Sequence, residues 1–197
     1  MAQLEIIGPA VDAGVMICRM ACVEKGVPHL HNEVTFSSRK LARENPLAAA
    51  PSMRHGKVRL FGVRGITSYI DSRFKGRNLV PADPIRAAEV EQWTAAILHR
   101  LHGLADHATC QQFAQDASTA KCLGALNDTI GSKFWLVGRG FTLADIALMP
   151  AIGNLNRLMG QDQLLHRFPA LGLWFAKHNG RRSWQAVQTG GQDVINA

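Results

Sequence analysis

The stretch NPLAAAPSMRHGKVRLFGVRGITSYI, residues 45–70, decides the fold. Pro46 and Pro51 break any regular period at its start. SMRH and KVRLFG then flank His55-Gly56, which reads as an antiparallel hairpin. Ile66, Tyr69 and Ile70 have helical spacing, so a helix is predicted from about Arg64 to Phe74. The turn between the hairpin and that helix holds Gly62 and Val63, where a Ser, Thr, Asp or Asn would cap the first free N–H groups. The helix start is therefore predicted to be bare of side-chain hydrogen bonds.

Upstream, QLEIIG (3–8) reads as a short apolar strand and AGVMICRMACVEK (13–25) as a helix closed by Gly26. HLHNEVT (29–35) reads as a second strand, and a strand–helix–strand unit of this length makes a parallel pair the natural pairing. A short polar helix is predicted over 37–44. The order is β-α-β-α-β-β-α. Downstream, Gly, Asn and two prolines within 75–84 interrupt both periods. Beyond them no convincing strand is found. Asp83-Pro84 is a cap followed by proline at the first helical position. Helices are predicted to about Leu104, from about Gln112 to Ser132, from Thr142, and around Leu173 and Trp184. The domain reading is 1–75 α/β, 76–84 linker and 85–197 all-α.

Composition narrows the class. Of 197 residues 47% are apolar and 19% charged, which argues for a packed chain rather than long disorder. No apolar run reaches the length of a membrane-spanning helix, and MAQLEIIGPA lacks the pattern of a signal peptide. A cytoplasmic protein is expected. The net charge is +7, but the basic residues are scattered and no aromatic residues interleave with a basic stripe, which argues against nucleic acid. Cys18, Cys22, Cys110 and Cys122 form no C-x-x-C pair. Cys18 and Cys22, four apart on a helix, read as small core residues. No metal is expected.

The element order resembles the glutathione transferase superfamily, in its cytosolic bacterial or phi-like type, and the motifs strengthen the resemblance. EKGV (24–27) looks like that family's end of the first helix. Residues 45–70 resemble its N-P-x-x-x-x-P stretch, turn and third-helix start. LVPADPIRAAEVEQW (79–93), FTLADIALMP (141–150), FPALGLWF (168–175) and RRSWQAV (181–187) resemble successive parts of its helical domain. The resemblance implies a thioredoxin-like α/β domain followed by an all-α domain, with a substrate cleft between them, small-molecule substrates and a homodimer. It also implies a cis bond before Pro51, so that the backbone of Ala50 pairs with a peptide-like ligand. Thr142 and Asp145 match the family's helix-capping box, a structural rather than a catalytic pair; losing such a cap costs roughly 1 kcal/mol.

The same resemblance marks what has changed. Family members usually carry Glu or Gln and Ser at the positions of Gly62 and Val63, binding the γ-glutamyl carboxylate of glutathione at a helix start. Asp12 falls where the family often has its catalytic Ser, Tyr or Cys, and GPAVDAG (8–14) holds none of these. A carboxylate cannot donate to a thiolate and repels it. Arg39 or Lys40 stands in the region that supplies a His or Lys for the glycine carboxylate. Two roles suit Asp12: cap of the 13–25 helix, or general base. His99 and His102 lie on the helix that lines the family's second-substrate pocket and suit either a proton shuttle or plain surface and core positions. Arg64, beside the bare helix start, suits an anion or solvent. Three functions are consistent with this sequence. One is an enzyme with a repurposed site, doing thiol-transfer, lyase or isomerase chemistry with glutathione held weakly or not used. The others are a conventional glutathione S-transferase and a non-catalytic binding protein.

Overall fold

Leu4, Ile6 and Ile7 are buried along the first strand, and the sheet forms around them. The computed structural model describes residues 2–36, 38–101, 104, 112 and 115–188. The chain divides into two compact units, one of residues 2–79 with 182–188 and the other of residues 80–181.

The first unit carries β1 (Leu4–Gly8), α1 (Ala13–Lys25), β2 (His29–Glu33), α2 (Arg39–Glu44), β3 (Ser52–His55), β4 (Val58–Phe61) and α3 (Val63–Arg73). The sheet order is β2-β1-β3-β4. β1 and β2 are parallel, with Ile6 opposite His31, and β3 runs antiparallel to both β1 and β4. The hairpin forms, but its turn is Gly56-Lys57, one residue later than the predicted His55-Gly56, because His55 stays in β3 and pairs with Val58; Ser52 lies opposite Phe61. β2 and α2 are each two residues shorter than their predicted spans, 29–35 and 37–44. For α2 the reason is local: Ser38 accepts the Lys40 N–H with its hydroxyl and so caps the helix rather than joining it.

α1 is buried on nearly every side, from Ala13 to Cys22. A helix covered all round needs partners on several faces. α3 supplies one of them, and a helix near the C-terminal end, Arg182–Gln188, supplies another. That helix docks through polar bonds as well: buried Arg19 of α1 donates from Nη2 to the Ala186 carbonyl at 3.0 Å, and Ser183 donates to Glu24. Contacts therefore group residues 182–188 with the α/β unit, although the sequence boundary assigns everything from 85 onward to the helical part. Lys25 and Asp71 join α1 to α3 by a 2.7 Å ion pair, and Asp71 also accepts the Leu79 N–H.

The second unit contains α4 (Pro84–Arg100), α5 (Ala117–Ile130), α6 (Leu143–Met159), α7 (Gln161–Arg167) and α8 (Pro169–His178); the helix Arg182–Gln188 of the first unit is α9. The helix predicted from Gln112 instead begins at Ala117. Asp116 takes an extended conformation and its carboxylate accepts the Thr119 N–H, so it caps a new helix instead of continuing an old one. α7 was not predicted, and α4 stops at Arg100 rather than Leu104. α6 is the core of this unit, with every residue from Leu143 to Leu155 buried. At its start the Asp145 carboxylate accepts the N–H and the hydroxyl of Thr142 and also the Leu136 N–H. The capping box forms and additionally anchors the preceding loop. Among the described residues no helix is long and apolar enough to cross a membrane.

Candidate active site

β1 runs out at Gly8, where the chain passes very close to its neighbours. A Cβ on Gly8 would lie 2.5 Å from Val15 Cγ2 and 3.0 Å from Ala50 Cβ, and φ is +152°. Only glycine fits such an approach. The Gly8 carbonyl accepts from His31 Nε2 at 3.0 Å, which fixes the end of the strand. Burial, with the charge of Arg19, holds the His31 ring below its ordinary pKa despite its bond to Gly8 and the charge of Glu33, so the ring is neutral near pH 7. The chain then turns, the Asp12 N–H donating to the Pro9 carbonyl, and α1 begins.

Asp12 is the N-cap of α1. Its Oδ1 accepts the Val15 N–H at 2.8 Å. Two residues on, Gly14 is the point where three segments converge. A Cβ there would stand 2.7 Å from Pro51 Cδ, 2.9 Å from Val63 Cγ2 and 3.1 Å from Asp12 Oδ1. The start of α1, the loop before β3 and the start of α3 thus meet at one corner. The Ala50-Pro51 peptide bond is cis. The Pro51 carbonyl accepts the Gly62 N–H at 3.0 Å, tying that loop to the head of α3.

The head of α3 is as bare as the sequence predicts. Gly62 is its N-cap, with φ +74° and no side-chain bond to the helix. The first turn of an α-helix leaves its leading N–H groups without intrahelical acceptors, and these belong to Val63, Arg64 and Gly65. Val63 is half-buried and Arg64 is exposed. The structure thus brings Asp12, Pro51 and Val63 to one corner, with Ala50, Gly62 and Arg64 their chain neighbours.

Arg39 and Lys40 are exposed on the first turn of α2. Leu41 is the only buried residue of that helix, and ion pairs supply much of the rest of its anchorage: Glu44 lies 3.5 Å from Arg54 and 3.1 Å from Arg59. Arg54 also pairs with Glu5 at 2.8 Å. Burial raises the Glu5 carboxyl, but bonds from Arg54 and Asn32 and the charges of Arg54 and Lys40 outweigh it and hold Glu5 below its usual pKa. His99 is exposed in the last turn of α4, in the second unit. His102 lies outside the described residues.

Both cysteines of α1 are fully buried, and burial pushes each thiol up; for Cys18 the neighbouring Cys22 and Asp12 push further the same way. They are protonated core residues, not nucleophiles. Sequence reasoning missed His31. The signal was present in HLH (29–31): alternate positions of a strand share a face, and both histidines are buried.

Residues 87–177 match the family model described as glutathione S-transferase, C-terminal domain. Together with the α/β unit and the relatives that follow, this match supports the glutathione S-transferase superfamily as the family of the chain. Among its relatives is glutathione S-transferase F12 of Arabidopsis thaliana, 26% identical over 196 residues, covering 88% of this chain and 90% of the relative. A glutathione S-transferase of Hyoscyamus muticus is 27% identical, covering 92% of this chain and 95% of the relative. In fold the chain is like poplar glutathione transferase F1, with a TM-score of 0.78, 21% identity, and coverage of 95% of this chain and 97% of that one.

Proposed function

We propose that this chain is a glutathione-transferase-fold enzyme with an altered site, acting on a small anionic or conjugated metabolite by thiol-transfer, lyase or isomerase chemistry. Glutathione is held weakly, mainly by backbone, or is not used. The observation that supports this reading is the corner at Gly14. The side chain nearest to it from the β1–α1 turn is a carboxylate, whose Oδ1 already accepts the Val15 N–H. An ionised carboxylate accepts hydrogen bonds only, so Asp12 gives a thiolate no stabilising donor and adds a repelling charge. Across the corner Val63 offers a methyl group where a polar side chain would bind a ligand carboxylate. The leading N–H groups of α3 and the positive end of its dipole still favour an anion there. Ala50 would contribute backbone groups, and Arg39 or Lys40 a cation. Asp12 serves as cap and as acceptor for a substrate proton or ammonium group, and His99 and His102 are the proton-shuttle residues of the helical unit. The protein works in the cytoplasm as a homodimer.

A conventional glutathione S-transferase is the second reading, favoured by relatives of that name that align over about nine-tenths of both chains. Calorimetric titration with reduced glutathione to about 10 mM separates the two. The altered-site reading expects a dissociation constant above about 1 mM, or no heat; binding well below that value overturns it in favour of the conventional one.

A further inference from the structure

The second unit holds a cavity of about 630 Å³ that shares no residue with the Gly14 corner. That volume lies in the range of small-molecule sites. One wall is the first half of α4, with Arg86, Glu89, Gln92 and Trp93. The other is the end of α5 and the loop after it, with Lys133 and Arg139. Buried Leu136 and Val137 and the half-buried Trp93 make its apolar part.

The two walls differ in charge. On α4, Arg86 and Glu89 pair at 2.7 Å, so that wall is close to neutral. Lys133 and Arg139 are exposed, and among the described residues neither side chain has an ion-pair or hydrogen-bond partner. The loop that bears them is anchored. The Lys133 N–H donates to the Ile130 carbonyl at 2.7 Å, and the Leu136 N–H donates to Asp145 Oδ1 at 2.8 Å. Gly138, with φ +69°, turns the chain just before Arg139. Two cations without counter-charges on one short loop favour a dianion over a monoanion, because one group then answers both. A phosphomonoester carries a charge of about −1.5 to −2 near pH 7 and offers three acceptor oxygens. On the opposite wall the exposed Gln92 amide both donates and accepts, and the Glu89 carboxylate accepts, which suits hydroxyl groups. The Trp93 indole between them offers an apolar surface to a compact carbon skeleton.

We propose that this cavity is a binding site for a small phosphomonoester of a sugar or polyol. The phosphate takes Lys133 and Arg139, the hydroxyls take Gln92 and Glu89, and the carbon skeleton lies on Trp93. The site is independent of the reaction proposed above.

The chain contains four tryptophans, so indole-15N labelling gives a simple spectrum in which Trp93→Phe identifies the Trp93 resonance by its loss. Titration with glucose 6-phosphate to about 10 mM at constant ionic strength should move that resonance saturably, with a dissociation constant on the order of 1 mM. The double variant Lys133→Gln with Arg139→Gln, at exposed positions, should bind at least about tenfold more weakly. Glucose should be weaker than its phosphate by about the same factor, a comparison that needs no variant. A Trp93 resonance unmoved at the highest concentration overturns the proposal. So does equal affinity in the double variant, for glucose, or for inorganic phosphate.

Discussion

The Asp12 carboxylate and the Val15 N–H form a 2.8 Å cap at the head of α1, so the polar side chain at the site corner is also a structural part of the helix. Two properties of Asp12 can therefore be separated by substitution. Asp12→Ala removes the cap and should cost about 1 kcal/mol, a fall in Tm of about 2–4 °C. Asp12→Ser keeps a capping oxygen, so Tm should stay within about 1 °C, while a hydroxyl donor replaces a negative charge. Thermal melts and glutathione calorimetry on the two variants check this. The altered-site reading expects Asp12→Ser to strengthen glutathione binding about tenfold or more; unchanged affinity would remove Asp12 from the site.

Gly14 is predicted to tolerate no side chain. An added Cβ meets Pro51 Cδ at 2.7 Å and Val63 Cγ2 at 2.9 Å, and neither side chain is flexible. Gly14→Ala should destabilise the chain by about 1–3 kcal/mol. Val63→Ala removes one of the two clashing groups, so the double variant should recover part of the loss. Urea denaturation of the two single variants and the pair gives the coupling; strict additivity would mean that α1 and α3 do not meet as described.

These contacts mark where reading the sequence succeeds and where it stops. The bare head of α3 was legible, because Gly62 and Val63 lack capping atoms whatever surrounds them. So were the α1 boundaries, set by Asp12 and Gly26, and, to within one residue, the hairpin turn at Gly56, since caps and tight turns depend on neighbours in the chain. Asp116 was misjudged because a polar residue inside a helical pattern and a cap interrupting it look alike without coordinates. Arg19 was illegible for another reason. Its acceptor, the Ala186 carbonyl, lies 167 residues away, and nothing local to α1 indicates that its charged residue turns inward. His31 is the same case at shorter range: its bond to Gly8 follows from sheet pairing, not from sequence neighbours.

The Lys25–Asp71 pair should respond asymmetrically to substitution. Lys25 is almost fully buried, and Asp71 holds both its ammonium and the Leu79 N–H. Lys25→Met takes the buried ammonium away from a largely buried carboxylate and should be strongly destabilising, by about 3 kcal/mol. Adding Asp71→Asn removes that charge while keeping an acceptor for Leu79, so the double variant should be more stable than Lys25→Met alone. Chemical denaturation of both variants measures the difference. A double variant less stable than the single one would mean that the carboxylate acts mainly through Leu79.

Stability should fall as the solution is acidified, and His178 should carry a measurable part of the effect. Its ring stacks on Trp135 with centroids 4.9 Å apart, touches Trp174 and Phe141, and places Nε2 2.8 Å from the Phe134 carbonyl. Burial lowers its pKa; the Phe134 bond and Asp145 push up, Arg181 and Lys177 push down, and the net shift is downward. The folded ring therefore stays neutral below the pH at which an unfolded histidine, with a pKa near 6.5, takes up a proton. Between those two values the unfolded chain binds more protons, so stability decreases with falling pH, by at most about 1.4 kcal/mol per pH unit for one group. Below the folded value both states are protonated and this contribution stops changing. His31 is lowered in the same direction and adds to the slope. His178→Asn removes the titrating group. Urea midpoints from pH 7.5 down to about 5 should show a shallower slope for His178→Asn than for the parent, with His31 left as a residual. Identical slopes would mean that His178 is protonated in the folded chain as readily as in the unfolded one.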